Sequence, residues 1–373
     1  KLYSNLFGMY PFYKEKYGHC MAPIGGGMEH QTMTTLGFFD FYLVAHELGH
    51  QWWGDNVTCK RWNDIFINEG FATYCGMLAA QYLDPASFAS EVNDHHNNVM
   101  GAPGGSSYFT NQDTMNASVI FDGRLTYSKG GSIIRSLQFL TNNDSLWFGT
   151  LRGFQNTYKN SNATVIDFKN YYQAQTGIDP NQFFNQWYYG EGYPTFHVKY
   201  NSGGGTFVFQ SSQTVSKPTV TPFFVTPIEY RIKRTGFADT IVRVMQTGPS
   251  DLFSFNMQGK VTGVFCDPNN WLINKATLAV LDTTLTNGIH VTQAGVNDIK
   301  IAPNPSRGIF TVNNPSSITG TVMVWDLEGR LIMQHELQGN TVIDLSRYSR
   351  GLYEVRIINA DKQAIYSQKI ISE

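Results

Sequence analysis

The sequence predicts an α+β protein in which a helix-rich first part precedes two β-rich segments. In the first part, stretches such as VIDFKNYYQAQ and NQFFNQWYY place aromatic residues three and four positions apart, which is typical of amphipathic helices. After GEGYP the pattern changes, and apolar and polar residues alternate in short stretches such as TFHVKY and TIVRVM. The chain has 373 residues, which is long enough for two or three domains.

The composition excludes several classes of protein. Lys and Arg total 27 against 29 Asp and Glu, a net charge of -2, which gives no support for binding to nucleic acid or to anionic membranes. No run of eighteen apolar residues occurs, so a transmembrane helix is not expected. The start of the chain, KLYSNLFGMYPFY, lacks the pattern of a signal peptide, and we expect a mature or truncated product.

Shifts in the pattern predict the domain boundaries. We expect a helix-rich domain at 1–192, a β-sandwich at 193–283, a linker at 284–297 and a second β-rich domain at 298–373. The four cysteines contain no CxxC pair, which argues against a cysteine zinc site. They could form up to two disulfides or remain buried thiols.

The stretch VAHELGHQWWG contains the strongest chemical signal. His46 and His50 are four residues apart, so on a helix they project from one face, where two neutral imidazoles can bind one Zn²⁺. Glu47, beside the first histidine, could accept a proton from water at the metal. The alternative is a helix that carries this pattern by chance and buries both histidines in its core.

A third ligand is expected at Glu69, in WNDIFINEGFATYCGMLAAQ. Eighteen residues, from Gln51 to Asn68, separate it from His50, which is long enough to end one helix and begin a second that packs against it. Two histidines and one carboxylate leave one coordination position open, as in a catalytic zinc site. The alternative is an ordinary first-turn glutamate that the helix dipole favours.

Four motifs in order resemble the gluzincin metallopeptidases of the aminopeptidase N family. HELGHQWWG, the eighteen-residue gap and NEGFATY match the family's zinc-site pattern, and GGMEH resembles its GxMEN exopeptidase motif. RLTYSKGGSIIRSL resembles the segment that carries the family's catalytic tyrosine, which is Tyr127 here. FFNQWYYGEGYP resembles the segment that ends the catalytic domain, so the resemblance covers about residues 7–195.

This resemblance implies a thermolysin-like catalytic domain and a zinc-dependent aminopeptidase with one Zn²⁺ per chain. His46, His50 and Glu69 would bind the zinc, which polarises the scissile carbonyl. Glu47 would act as general base, and the Tyr127 phenol would hydrogen-bond the oxyanion. The alternative role for Tyr127 is that of a packed core residue.

The stretch GGGMEHQT is expected to bind substrate through Gly26, Gly27, Met28, Glu29 and His30. An aminopeptidase must recognise a free α-ammonium group, for which Glu29 would be the charge partner. The glycines allow the peptide to approach the backbone closely. His30 stands where the family motif usually has Asn, so affinity and residue preference are open. A phosphate loop is disfavoured, since GK[ST] is absent and a glutamate repels phosphate. An ordinary loop without a role in binding is the alternative.

The C-terminal segment resembles the C-terminal sorting domain of Bacteroidetes type IX secretion. IAPNPSRGIFTVN, with Pro303, Asn304, Pro305 and Gly308, is followed by WDLEGRLI, GLYEVRI and a final KIISE. The resemblance implies that the type IX secretion machinery is a partner. It also implies that the protein passes through the periplasm and is secreted or held at the cell surface. A generic β accessory module is the alternative.

Further expectations concern what surrounds these motifs. Members of the family usually carry a β-rich domain before the GxMEN motif, and about two dozen residues precede GGMEH here, so we expect an N-terminally truncated catalytic domain. His95 and His96 lie in a polar stretch and are predicted to be solvated. Asp64 and Asn68 could orient metal ligands or cap helices. Two other functions stay open: a zinc endopeptidase with the same ligands, or a catalytically impaired surface binding module.

Overall fold

A computed structural model gives the fold, and it has the mixed helix and strand content that the sequence predicts. The residues that it describes are 1–285, 299–314, 319–326, 330–358 and 364–373. The chain divides into two compact units, Lys1–Leu285 and Thr286–Glu373. Most of the predicted linker, residues 286–297, lies outside the described residues.

The first unit contains the helices. They are α1 (Leu2–Phe7), α2 (Phe41–His50), α3 (Glu69–Leu83), α4 (Phe88–Met100), α5 (Ala117–Ile120), α6 (Gly130–Thr141), α7 (Asp144–Tyr158), α8 (Val165–Thr176) and α9 (Asn181–Trp187). Side-chain caps define the starts of α2 and α8: the Asp40 carboxylate accepts hydrogen bonds from the backbone N–H groups of Tyr42 and Leu43 in α2. Thr164 and Asp167 form a capping box at α8, which ends at Gly177 with φ of 71°.

Helices α2 and α3 pack unusually close to each other. A Cβ atom on Gly49 would lie 2.7 Å from Cys75 Cβ, so this position in α2 requires glycine. Just beyond the end of α2, the Trp53 ring stacks on Phe71 of α3 with 3.8 Å between ring centroids. This packing brings the C-terminal half of α2 against the first turns of α3.

Two small sheets flank these helices. Strands β1 (Gly18–Met21), β2 (Gly27–Met28) and β3 (Met33–Leu36) form a sheet with the order β1-β3-β2. Strand β4 (Val57–Cys59) pairs in parallel with β5 (Ser161–Ala163).

Two larger sheets follow in the first unit. Their strands are β6 (Pro194–Gly203), β7 (Thr206–Val215), β8 (Thr226–Arg234), β9 (Phe237–Gln246), β10 (Ser250–Asn256), β11 (Val261–Cys266), β12 (Lys275–Ala276) and β13 (Val280–Leu281). One sheet has the order β10-β7-β6-β12, with β13 also paired to β6, and the other has the order β11-β8-β9. They meet where the Phe209 and Tyr230 rings lie 4.7 Å apart and the Ser211 and Tyr230 hydroxyls lie 2.6 Å apart.

A buried arginine joins the helices to these sheets. The Arg135 guanidinium, on α6, donates to the carbonyl oxygens of Asn269 and Asn270 at 2.9 and 3.1 Å. It also lies 4.1 Å from the centre of the Trp271 ring, a favourable cation–π distance. The helical and β-rich parts of Lys1–Leu285 therefore share one core, and the boundary expected between residues 192 and 193 stays a prediction.

The second unit consists of strands in its described part. They are β14 (Lys300–Ala302), β15 (Ile309–Asn313), β16 (Gly320–Trp325), β17 (Leu331–Leu337), β18 (Thr341–Asp344), β19 (Gly351–Ile358) and β20 (Ala364–Ser372). The sheets have the orders β14-β15-β18 and β17-β16-β19-β20, and Phe310, Val324 and Val355 are buried between them. Gly308 has φ of 96°, and a Cβ atom there would lie 2.9 Å from the Ser346 backbone, so this turn requires glycine.

Two findings bear on the expectations about membranes and disulfides. Within the described part of the chain, no helix combines the length and apolar character needed to cross a membrane. Cys20, Cys59, Cys75 and Cys266 are all free thiols in this structure.

Candidate active site

The three predicted ligand residues meet at the contact between α2 and α3. His46 and His50 project from one face of α2, and their Nε2 atoms are 3.1 Å apart. Glu69 is the first residue of α3, and its Oε2 atom lies 3.3 Å from each of these nitrogens. His50 and Glu69 are buried, whereas the side chain of His46 is 17% exposed.

The segment between the histidines and Glu69 explains how they meet. After α2 the chain forms β4 and then a tight helical turn, Trp62–Ile67, which leads directly into α3. Asn68 holds the end of this helical turn against β4, because its Oδ1 atom accepts a hydrogen bond from Cys59 N at 2.8 Å. Asp64 similarly accepts from Val165 N at 3.0 Å and supports the start of α8. Both residues thus bind backbone groups rather than the candidate ligands.

The His50 ring is oriented by the backbone of the next turn. Its Nδ1 atom lies 2.9 Å from the carbonyl oxygen of Trp53, which can only accept, so Nδ1 must donate. The lone pair of a neutral imidazole is then on Nε2, the atom that faces Glu69. A hydrogen bond from the ring nitrogen that does not face the metal is the usual way in which proteins fix the orientation of a metal-binding histidine.

The cluster fits a tetrahedral metal ion. Bonds of about 2.0–2.1 Å to zinc place neighbouring ligand atoms about 3.3 Å apart in a tetrahedron, and the three distances here are 3.1, 3.3 and 3.3 Å. Glu69 Oε2 is buried without a well-formed hydrogen bond to any described residue, so it has a free lone pair. Two imidazoles and a carboxylate are ligands that Zn²⁺ prefers.

Burial and the charges of neighbouring side chains together set the pKa values in the cluster. Burial raises the pKa of Glu47 to about 7. Burial acts in the same direction on Glu69, but the nearby imidazoles of His50 and His46 outweigh it and hold the pKa of Glu69 below its usual range. Burial, and then the charge of Glu69, raise the pKa of Tyr127 well above its ordinary value. The phenol is therefore protonated and able to donate a hydrogen bond.

Tyr127 lines the cleft instead of lying in the core. It belongs to a π-helical turn, Gly123–Lys129, that runs into α6, and its ring stacks on the His46 ring with 5.9 Å between centroids. Two anchors hold this turn: Asp122 caps its start, and the buried Lys129 ammonium donates to the carbonyl oxygens of Gly105 and Gly190.

The glycine-rich stretch forms one wall of the same cleft. Residues 25–29 line a cavity of about 1270 Å³ that also contains the three candidate ligands. Gly27 lies directly against Glu47, because a Cβ atom at this position would overlap Glu47 Oε1. The Glu29 carboxylate lies within 4.8 Å of ligand atoms of both Glu47 and His50. Glu29 is thus close enough to bind the same small substrate as the cluster.

His30 is placed differently from its neighbours. It is exposed and is not among the residues that line the cleft. Its Nδ1 atom is 2.9 Å from the Thr35 hydroxyl, on strand β3. A role for His30 in substrate binding stays a prediction.

The histidines of α4 were predicted to be solvated, and for His96 that prediction is wrong. His96 is 4% exposed, because it shares the inward face of the helix with Val92 and Val99, and burial lowers its pKa to about 3. His95 lines the cleft: its Nε2 atom is 3.3 Å from the Glu91 carboxylate, and its Nδ1 atom is 3.0 Å from the hydroxyl of Ser128.

Sequence reasoning missed two groups that position the site. One is the Trp53 carbonyl, which orients His50, and the other is the buried side chain of Gln51, which contacts the glycine-rich loop. Both follow the second histidine directly in the chain. That proximity was the only available signal, because a backbone carbonyl and an amide leave no pattern in sequence.

Comparisons with known proteins show which families and relatives the chain resembles. The model of the peptidase family M1 domain matches residues 40–187. Aminopeptidase N of Mus musculus is 29% identical over 260 residues, which cover 61% of this chain and 26% of the mouse protein. Probable aminopeptidase 2 of Sulfurisphaera tokodaii is 31% identical over 169 residues, which cover 43% of this chain and 21% of that protein. The chain thus spans about a quarter or less of the length of these relatives.

A solved structure and a second family model complete the comparisons. A crystal structure of a mutant M1 zinc metallopeptidase from Deinococcus radiodurans, bound to a Tyr-Ser-Ala substrate, is 25% identical. It has a TM-score of 0.44, with 50% of this chain and 41% of that chain covered. The secretion system C-terminal sorting domain matches residues 300–373. The two family models thus show that residues 40–187 are similar to the peptidase family M1 domain and that residues 300–373 are similar to the secretion system C-terminal sorting domain.

Proposed function

We propose that the protein is a zinc aminopeptidase that removes N-terminal residues from peptides. The observation that carries the proposal is the meeting of three groups in one cleft: the His46, His50 and Glu69 cluster, the Glu47 carboxylate beside it, and Glu29 within 4.8 Å of Glu47 and His50. The first two groups suit hydrolysis, and the third suits recognition of a free amine. The relatives named aminopeptidase support the same activity.

His46, His50 and Glu69 would hold one Zn²⁺ per chain. When bound, this ion supplies Lewis acidity: it polarises a carbonyl group and lowers the pKa of water to about 7. The Trp53 carbonyl keeps His50 in the tautomer that can bind it.

Glu47 would be the general base. Its Oε2 atom is buried and has no hydrogen-bond partner among the described residues, so it is free to accept a proton from the attacking water. Glu47 would then pass this proton to the nitrogen of the leaving amine, which completes the addition of water across the peptide bond.

Tyr127 would stabilise the oxyanion that forms when water attacks the carbonyl carbon. Its phenol is protonated and faces the cleft beside His46. A hydrogen bond that forms only as charge develops on the carbonyl oxygen lowers the activation barrier.

Glu29 would bind the α-ammonium group of the substrate. A charge-assisted hydrogen bond between ammonium and carboxylate is strong and directional. The short distance from Glu29 to the cluster leaves room for one residue between the amine and the scissile bond. Gly26, Gly27 and Met28 would form the wall of the cleft along this residue, and His30 would contribute to substrate binding from outside that wall.

The close contact between Gly27 and Glu47 gives a sharp prediction. Gly27→Ala is expected to lower kcat/KM by about 10- to 100-fold, because the added methyl group displaces the Glu47 carboxylate. The matched control is Gly25→Ala in the same loop, since a Cβ atom there meets nothing within 4 Å. Equal losses in both variants, at unchanged zinc content, would contradict the assigned contact.

Free and blocked substrates test the proposal as a whole. The zinc-loaded protein is expected to release p-nitroaniline from leucine p-nitroanilide and to leave the N-acetyl derivative essentially intact, since acetylation removes the charge that Glu29 binds. Cleavage within N-acetylated peptides would show instead that the protein is a zinc endopeptidase. Bound zinc without turnover of either substrate would show a binding module.

The rest of the chain has a proposed role in architecture and export. We propose that the helical part is thermolysin-like, that residues 193–283 and 298–373 are two β-sandwich domains, and that residues 284–297 link them. The paired sheets in each region support this organisation. Residues 300–373 would engage the type IX secretion machinery, so that the protein is secreted or held at the cell surface after it crosses the periplasm.

A further inference from the structure

The side chain of Gln51 is the centre of a buried hydrogen-bond network next to the metal cluster. Gln51 follows His50 directly and is fully buried. Its Oε1 atom accepts hydrogen bonds from the Tyr10 hydroxyl at 3.0 Å and from Thr32 N at 2.9 Å. Its Nε2 atom donates to the Asp55 carboxylate at 2.7 Å and to the Glu29 carbonyl oxygen at 3.3 Å.

These contacts fix the amide in one orientation. A carboxamide has two acceptor positions and two N–H groups, and all four are used. Rotating the amide by 180° would place its oxygen against the Asp55 carboxylate and the Glu29 carbonyl, and its NH₂ group against the Thr32 N–H. Three favourable contacts would become repulsive, so only the observed orientation is stable.

Two of the four contacts hold the loop that carries Glu29. The Glu29 carbonyl and the Thr32 N–H lie on either side of His30 and Gln31, so the Gln51 side chain binds both ends of this turn. Thr32 has φ of 62°, a left-handed conformation that a β-branched residue rarely adopts. The hydrogen bond to Gln51 helps to hold the strained backbone in this position.

We infer that Gln51 is the positioning residue that sets where Glu29 lies relative to His46 and His50. Its backbone continues the turn of α2 that carries His50, and its side chain binds the backbone of Glu29 itself. It thereby couples the amine-recognising carboxylate to the metal ligands and limits the substrate to one residue ahead of the scissile bond. This inference rests on the proposed aminopeptidase function.

The test is a double-mutant cycle between Gln51 and Glu29, measured as binding. Every protein carries Glu47→Gln, so that peptides remain intact, and is loaded with zinc. Calorimetry gives the Kd values of Leu-Ala-Ala and of its N-acetyl form, and their ratio is the preference for a free amine. We expect a ratio of about 10- to 100-fold in the parent, the range for a hydrogen bond to a charged group.

Gln51→Met should lower this ratio severalfold, while the Kd of the acetylated peptide and the zinc content stay unchanged. Glu29→Gln should bring the ratio close to one. The double variant should match Glu29→Gln alone within about twofold, because Gln51 acts through Glu29. Tyr10→Phe is the matched control: it removes one contact of the same amide but none to the loop, and should leave the ratio unchanged.

Two results would overturn the inference while the proposed function stands. One is a set of additive effects in the cycle, and the other is equal weakening of both peptides by Gln51→Met, as a structural defect would produce. If Gln51→Met does not fold, Gln51→Asn serves, because an amide one methylene shorter cannot reach both Asp55 and the loop. A parent protein without any preference for the free amine would overturn the inference together with the assigned role of Glu29.

Discussion

Glu47→Gln is expected to lower kcat for peptide hydrolysis by about 10²- to 10⁴-fold, the usual contribution of a general base. The substitution keeps the size of the side chain and its place under Gly27, but an amide cannot take a proton from water at neutral pH. Zinc content should remain at one equivalent, because Glu47 is not one of the three cluster residues. Steady-state assays with leucine p-nitroanilide measure kcat, and metal analysis measures the zinc content.

A second carboxylate in the cleft provides the control. Glu91 lines the same cavity and pairs with His95 on α4 at 3.3 Å. Glu91→Gln is expected to change kcat by less than about fivefold, since this partly buried pair contains neither a candidate zinc ligand nor the proposed general base. A loss of activity in Glu91→Gln as large as that in Glu47→Gln would show that the cleft needs negative charge in general and not a base at Glu47.

Tyr127→Phe is expected to have the next largest effect, a loss of about 10²- to 10³-fold in kcat with little change in KM. This magnitude follows from the removal of one oxyanion donor, and KM is spared because the hydrogen bond strengthens only as charge develops. The ring itself remains stacked on His46. Initial rates over a range of substrate concentrations separate the two parameters.

Tyr42 offers a matched tyrosine for comparison. It lines the same cleft, but its hydroxyl lies 3.3 Å from Asp84, away from the cluster. Tyr42→Phe should leave kcat nearly unchanged. A rise in KM without a fall in kcat for Tyr127→Phe would contradict its assignment, since it would mean that Tyr127 binds the ground state.

The cluster of candidate metal ligands could be predicted from sequence because its geometry is largely local. Two histidines four positions apart share a helix face whatever the rest of the fold does, and α2 is helical as expected. Glu69 is less local, yet the length of the gap and the motif around it were enough to place it at the start of a second helix. The structure brings all three together within 3.3 Å.

The surroundings of the cluster depend on long-range packing and could not be read in this way. Gln51 joins Tyr10 to the turn after Glu29, contacts that are 41 and 19 residues apart in the chain. His96 lies in a polar stretch, but it is inward-facing because its helical neighbours Val92 and Val99 are buried. The sequence does carry a signal for this burial, because His96 is four residues from Val92 and three from Val99, a spacing that places all three on one helix face. The polarity of its immediate neighbours does not show it.

A long-range contact also crosses the boundary that the sequence predicts between the helical and the β-rich parts. The change from helical to alternating pattern near residue 192 is real, since β6 begins at Pro194. Arg135 nevertheless reaches across to the loop at Asn269 and Asn270, and Lys1–Leu285 packs as one unit. A change of secondary structure in the sequence therefore does not by itself give the limits of a core.

Zinc titration of metal-free protein tests the central claim most directly. Chelation should abolish the release of N-terminal residues, and added Zn²⁺ should restore it in proportion until one equivalent per chain is bound. His46, His50 and Glu69 form one candidate site, and the other set of possible ligands, Glu29, Glu47 and His50, shares His50 with it, so we expect one equivalent per chain. Full aminopeptidase activity in metal-free protein, or recovery that requires two equivalents, would contradict this account.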